Sequence, residues 1–194
     1  MPRAGLTSDR VVTEAERVVD QVGFGNLSLA ALAENLGVRQ PSLYKHVAGL
    51  PALKQAVAVR AKAELADVFA RAAVGKSRGD AIQAIAVAYR QWAHEHPGRY
   101  EAALRAPDPN DPDDAAASAA AVSVIFEVLS GYELHGTDAV HAARALRSAL
   151  HGFVSLEAAG GFGLPFDLDD SYSRLVGVYV SSLEAGPGIL GGPD

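Results

Sequence analysis

An all-α protein is predicted: an N-terminal helix-turn-helix head of three helices, joined by a long helix to a C-terminal bundle, about nine helices in all. Three observations carry this prediction. Apolar residues recur at helical spacing along most of the chain. Strand-like composition is confined to VGVYV at 176–180. Residues 29–48, LAALAENLGVRQPSLYKHVA, alternate small, glycine and aliphatic positions as two short helices crossing at a tight turn require.

The elements follow in order. Val11, Ala15, Val18, Val19 and Val22 stripe a first helix, capped at its start by the side-chain oxygen of Thr7 or Ser8 and stopped by Gly23. Phe24 and Leu27 flank a glycine-containing turn, and Ser28 caps a short helix over 28–36 that Gly37 ends. Another short helix begins near Arg39, with Pro41 in its first turn, where a missing N–H costs no helical bond; Ala48 and Gly49 close it. Pro51 opens a long helix to about Ala73, with Leu53, Val57, Ala61, Leu65, Val68 and Phe69 on one side. Further helices are expected at 78–95, 97–106, 114–135, 138–159 and 170–185. VGVYV belongs to the last of these, because Tyr172, Leu175, Val176, Tyr179 and Leu183 repeat at helical spacing and no partner strand exists. PDPNDPDD at 107–114 and GGFGLPFD at 160–167 read as loops. The expected domains are a head over 1–50, a helical body over 51–186 and a flexible tail over 187–194.

Composition narrows the function. With no cysteine there is no thiolate nucleophile and no Cys-ligated metal site. The N-terminus lacks an apolar h-region and no run approaches 18 apolar residues, so a cytoplasmic protein with no membrane partner is expected. The net charge of −6 is unevenly spread. Residues 1–62 hold eight basic against five acidic groups, a formal +3, and the remainder carries −9. A basic head can approach phosphates that an acidic body repels.

In the head, Ala33 is the small residue where the two short helices touch, Gly37 is the turn, and Leu32, Leu36, Val38 and Leu43 form the wedge between them. What remains outward on the second helix is Arg39, Gln40, Ser42, Tyr44, Lys45 and His46, a set rich in hydrogen-bond donors. Placed in a major groove, Arg39 suits guanine and Gln40 adenine, while Tyr44, Lys45 and His46 suit phosphate oxygens.

Residues 8–60 resemble the TetR family of bacterial transcriptional repressors. The likeness rests on the valine-striped first helix, G-F-x-N-L-S-L at 23–29, L-A-x-x-L-G-V at 32–38 and S-L-Y-K-H-V at 42–47. It implies that Tyr44 and His46 grip phosphate and that Ser28 starts the first helix of the motif. The family commonly has a lysine at the start of the fourth helix; this chain has Leu50-Pro51, and Lys54, one turn later, stands as its substitute. Residues 147–157, RSALHGFVSLE, with GGFGLP at 160–165, resemble a branch whose regulatory domain carries a W-H-G signature, with Arg147 where the tryptophan would stand.

The resemblance implies a homodimer pairing through helices 138–159 and 170–185, a near-palindromic double-stranded DNA operator and a small-molecule effector. Ile82, Ile85, Tyr89, Trp92 and His96 line one helix face and Val122, Ile125, Phe126, Leu129 and Tyr132 another. These faces are either solid core or the border of a pocket, and Tyr89, Trp92, Phe126 and His151 are the candidate effector contacts. No cofactor and no metal are expected. His94-Glu95-His96-Pro97 lacks the i, i+4 pairing of zinc hydrolases, and Ser148, Ser155, His151 and Glu157 lack a nucleophile elbow. The alternative is a helical small-molecule-binding protein or enzyme in which the basic head is incidental.

Overall fold

A computed structural model describes residues 6–186; the expected tail over 187–194 lies outside them. The described chain forms α1 (Ser8–Val22), a 3₁₀ turn (Phe24–Asn26), α2 (Leu29–Leu36), a 3₁₀ helix (Gln40–Lys45), α3 (Leu50–Ala73), α4 (Arg78–Glu95), α5 (Pro97–Ala103), α6 (Pro112–Ser130), α7 (Gly136–Ala158) and α8 (Leu168–Glu184). No strand occurs among the described residues, and VGVYV lies inside α8.

Local chemistry explains the boundaries. Thr7 Oγ1 accepts from the Arg10 N–H at 3.1 Å and Ser28 Oγ from the Ala31 N–H at 3.2 Å, so each hydroxyl satisfies an N-terminal donor that its helix cannot. Gly37 takes the left-handed conformation (φ 66°) that lets Val38 N–H close back on the Ala33 carbonyl.

Three expectations need correction. The second helix of the motif is 3₁₀ and ends at Lys45, before Ala48: Pro41 removes a donor, and a segment this short closes through i→i+3 bonds such as Ser42 N–H to Arg39 O. Helix α6 stops at Ser130 and not at 135, because Glu133 turns left-handed (φ 61°) and the Leu134 N–H returns to the Leu129 carbonyl. Val22 and Val122 lie in the predicted apolar stripes yet are exposed.

Backbone packing groups the chain into two units. The first holds residues to Glu64 together with Glu95–Ser118, so it extends past the boundary expected at residue 50 and takes in α5. The second holds Leu65–His94 and residues from Ala119 onward.

In the first unit α1 and α5 approach so closely that Gly98 has no room for a side chain against the Val19 carbonyl. Asp20 accepts from the Arg99 backbone N–H at 2.9 Å, supplying an acceptor to a helix start where Pro97 has no N–H and His96 forms no side-chain cap. The Arg99 guanidinium bonds Asp20 at 2.7 Å and Glu64 at 2.6 Å. In the second unit Arg90 of α4 bonds Glu157 of α7 through two nitrogens, at 2.8 and 2.6 Å, and Asp169 of α8 at 2.8 Å. Its guanidinium lies over the Phe153 and Tyr172 rings. Hydrogen bonding by Arg90, against the opposing effect of burial, holds the Glu157 carboxyl below the ordinary carboxylate range.

Candidate nucleic-acid interface

Packing decides which face of the 3₁₀ helix looks outward. Leu43 is fully buried beside Leu32 and Ala33, while Leu36 and Val38 are half-buried, so the expected wedge forms around the first two leucines. With Leu43 turned in, Arg39, Gln40, Tyr44 and Lys45 are exposed and Ser42 and His46 half-exposed. Tyr44 is 57% exposed and so is no part of the core.

The charges of the head sort themselves in the same way. Arg17 is bonded to Glu14; Arg60 reaches Asp9, Thr13 and Glu16; Lys62 is buried against Asp114. Lys54, the substitute phosphate contact, donates to the Gly25 carbonyl at 3.1 Å and lies over the Phe24 ring at 5.3 Å, where it fastens the 23–27 turn to α3. Arg39 and Lys45, by contrast, have no ion-pair or hydrogen-bond partner among the described residues. Ser28 is engaged as the cap of α2. The 3₁₀ helix and its N-cap residue Arg39 therefore offer two unpaired cations, an amide and a phenol, on a turn anchored by the buried Leu43.

The candidate effector residues all belong to the second unit. Tyr89 and Trp92 are buried, with the Tyr89 ring 6.2 Å from that of Phe69. His151 is half-buried, with Ser155 Oγ 3.3 Å from its Nδ1. Phe126 is half-exposed and lines a surface cleft at the start of α7 that takes in none of the other three. His94 bonds Glu157 at 2.9 Å, and His96 lies 3.4 Å from Asp20. No helix among the described residues is long and apolar enough to cross a membrane.

A capped helix, a glycine turn and a short second helix carrying outward donors define a helix-turn-helix DNA-binding protein. The chain belongs to the TetR family. The family described as "Tetracyclin repressor-like, C-terminal domain" matches residues 82–179. A Mycobacterium tuberculosis protein named as an uncharacterized HTH-type transcriptional regulator, Rv0681, is 42% identical over 158 residues, covering 81% of this chain and 72% of its own. The similarly named YobS of Bacillus subtilis is 38% identical over 184 residues, 94% and 95% of the two chains. Among solved structures, a TetR variant from Acinetobacter baumannii in complex with minocycline shares the fold, with a TM-score of 0.68 at 21% identity over 93% of this chain and 98% of that one. The chain is thus a DNA-binding transcriptional regulator.

Proposed function

We propose that this regulator is a ligand-responsive repressor that binds a near-palindromic operator as a homodimer, reading bases with Arg39 and Gln40 and holding phosphates with Ser42, Tyr44, Lys45 and His46. The observation that carries the reading is the division among the cations of the head: Arg17, Arg60, Lys54 and Lys62 are held internally, and Arg39 and Lys45 are left for an external anion. Mobility-shift titration against the DNA upstream of its own and neighbouring genes tests it. Tyr44→Ala and Lys45→Ala should each weaken binding about tenfold, and the lysine variant should lower the salt slope by about 0.9 for the phosphate it releases. Unchanged affinity in both variants would contradict the assignment.

Dimerisation is assigned to the outer faces of α7 and α8. Val178 is 70% exposed, while Val176, Tyr179 and Val180 turn inward, so α8 carries an apolar side chain on a face that its own unit does not cover. Val178→Arg should leave the helical circular dichroism intact and shift the mass measured by light scattering from dimer to monomer. A dimer that persists in Val178→Arg would move the interface elsewhere. An effector releases DNA only as far as it prefers a dimer whose heads are wrongly spaced. That the Acinetobacter relative in fold was crystallised with minocycline supports the ligand-responsive part of the reading.

A further inference from the structure

The cleft at the start of α7 has a volume of about 640 Å³, within the range of small-molecule sites. Phe126 of α6 forms one wall, Leu134, Ala139 and Val140 supply apolar surface, and His135, His141 and Arg144 supply the charged and polar groups. No acidic residue lines it, although the chain beyond residue 62 carries a formal −9. Glu127, Glu133 and Asp138, each next in sequence to a lining residue, are exposed and are not part of its lining. Arg144 and both histidines have no ion-pair or hydrogen-bond partner among the described residues, whereas Arg78 and Arg90 of the same unit are engaged with side chains. No side chain caps α7 at His135, which leaves the first-turn N–H groups beside the same cleft without a side-chain acceptor.

We infer that this cleft binds an amphipathic organic carboxylate, its apolar body against Phe126, Leu134 and Val140 and its carboxylate on the guanidinium of Arg144, with His141 and His135 as further donors. A guanidinium fork matches a planar carboxylate through two parallel bonds, and the apolar wall selects against small hydrophilic anions. The binding step stands by itself; only its consequence for DNA rests on the ligand-responsive reading.

Calorimetry on the full-length protein tests the site with decanoate and 4-phenylbutyrate as probes and 1-decanol as the uncharged control. Both acids should bind and the alcohol should not. Arg144→Gln, a change at an exposed position, should weaken both acids about tenfold or more, the loss of a charge-assisted hydrogen bond. Binding of 1-decanol as tight as decanoate, equal affinity in Arg144→Gln, or no heat from either acid would overturn the inference. Operator titration of the same samples separates the two readings: decanoate that binds through Arg144 yet leaves operator affinity unchanged upholds the site and counts against this cleft as the effector site.

Discussion

Replacing Gly98 by alanine should destabilise the N-terminal unit by about 3 kcal/mol or more and lower its thermal midpoint by about 10 °C or more. The reason is geometric. An ideal Cβ built at Gly98 would lie well under 3.0 Å from the Val19 carbonyl group and 2.8 Å from the Asp20 nitrogen. Both neighbours are backbone atoms inside α1, so no rotamer change relieves the overlap and α5 must lift off α1. Lifting it stretches the bonds from Asp20 to the Arg99 N–H and guanidinium and from Glu101 to the Phe24 N–H. The last of these anchors the turn that leads into the helix-turn-helix motif, so operator affinity should fall with stability. Circular dichroism melting of wild type and Gly98→Ala checks this. A midpoint within 2 °C of wild type, the scale of an ordinary surface substitution, would show that α5 does not pack where it is placed.

Asp114→Ala should cost about 3–5 kcal/mol, because it leaves the Lys62 ammonium buried without its counter-charge. Both groups are withdrawn from water, and the same carboxylate accepts from Gln55 at 2.9 Å and from the Asp108 N–H at 2.8 Å. Replacing both partners by apolar residues, Lys62→Met with Asp114→Leu, should be far milder than the single loss, since no charge is then stranded. Acid should expose the same pair. Burial alone would push the Asp114 carboxyl up; the Lys62 ammonium, the Asp108 N–H and the Gln55 amide overcome it and hold it below the ordinary value of 3.8. A carboxyl lowered on folding contributes stability that is complete above its unfolded pKa and is lost as pH falls through the lower folded one. The urea midpoint of wild type should therefore drop below about pH 4 more steeply than that of the double variant. Parallel curves would contradict the assignment.

Much of the head is legible in the sequence because its determinants are local. Thr7, Ser28, Gly23 and Gly37 act on neighbours a few residues away, and the valine stripe of α1 needs only the period of a helix to be read. The outward set from Arg39 to Lys45 follows once Leu43 is recognised as the wedge. Position along the chain is less informative where the determinant is a long-range partner. Gly98 gives no sign in the sequence that α1 passes against it, and Arg90 cannot be linked to Glu157 and Asp169 by any local rule. Asp114 sits in a run of prolines and acids that reads as a solvated loop, yet it is buried. The signal was on the other side: Lys62 lies one residue beyond Ala61 on the buried stripe of α3, where an unpaired lysine would be too costly. Pro41 in so short a segment likewise foretells the 3₁₀ geometry. Arg144 and His141 stand out only when the acidic surroundings of the body are weighed against an acid-free wall.

The central claim is that two copies of the segment beginning at Arg39, related by a two-fold axis, meet one face of a duplex. Hydroxyl-radical footprinting of the full-length protein on its upstream DNA measures this directly. Two protected half-sites of related sequence, centred one helical turn apart (about 34–36 Å) or a multiple of it, and needing about tenfold more protein with Lys45→Ala, are the predicted result. A single unpaired footprint, or paired footprints that Lys45→Ala leaves unaltered, would contradict it.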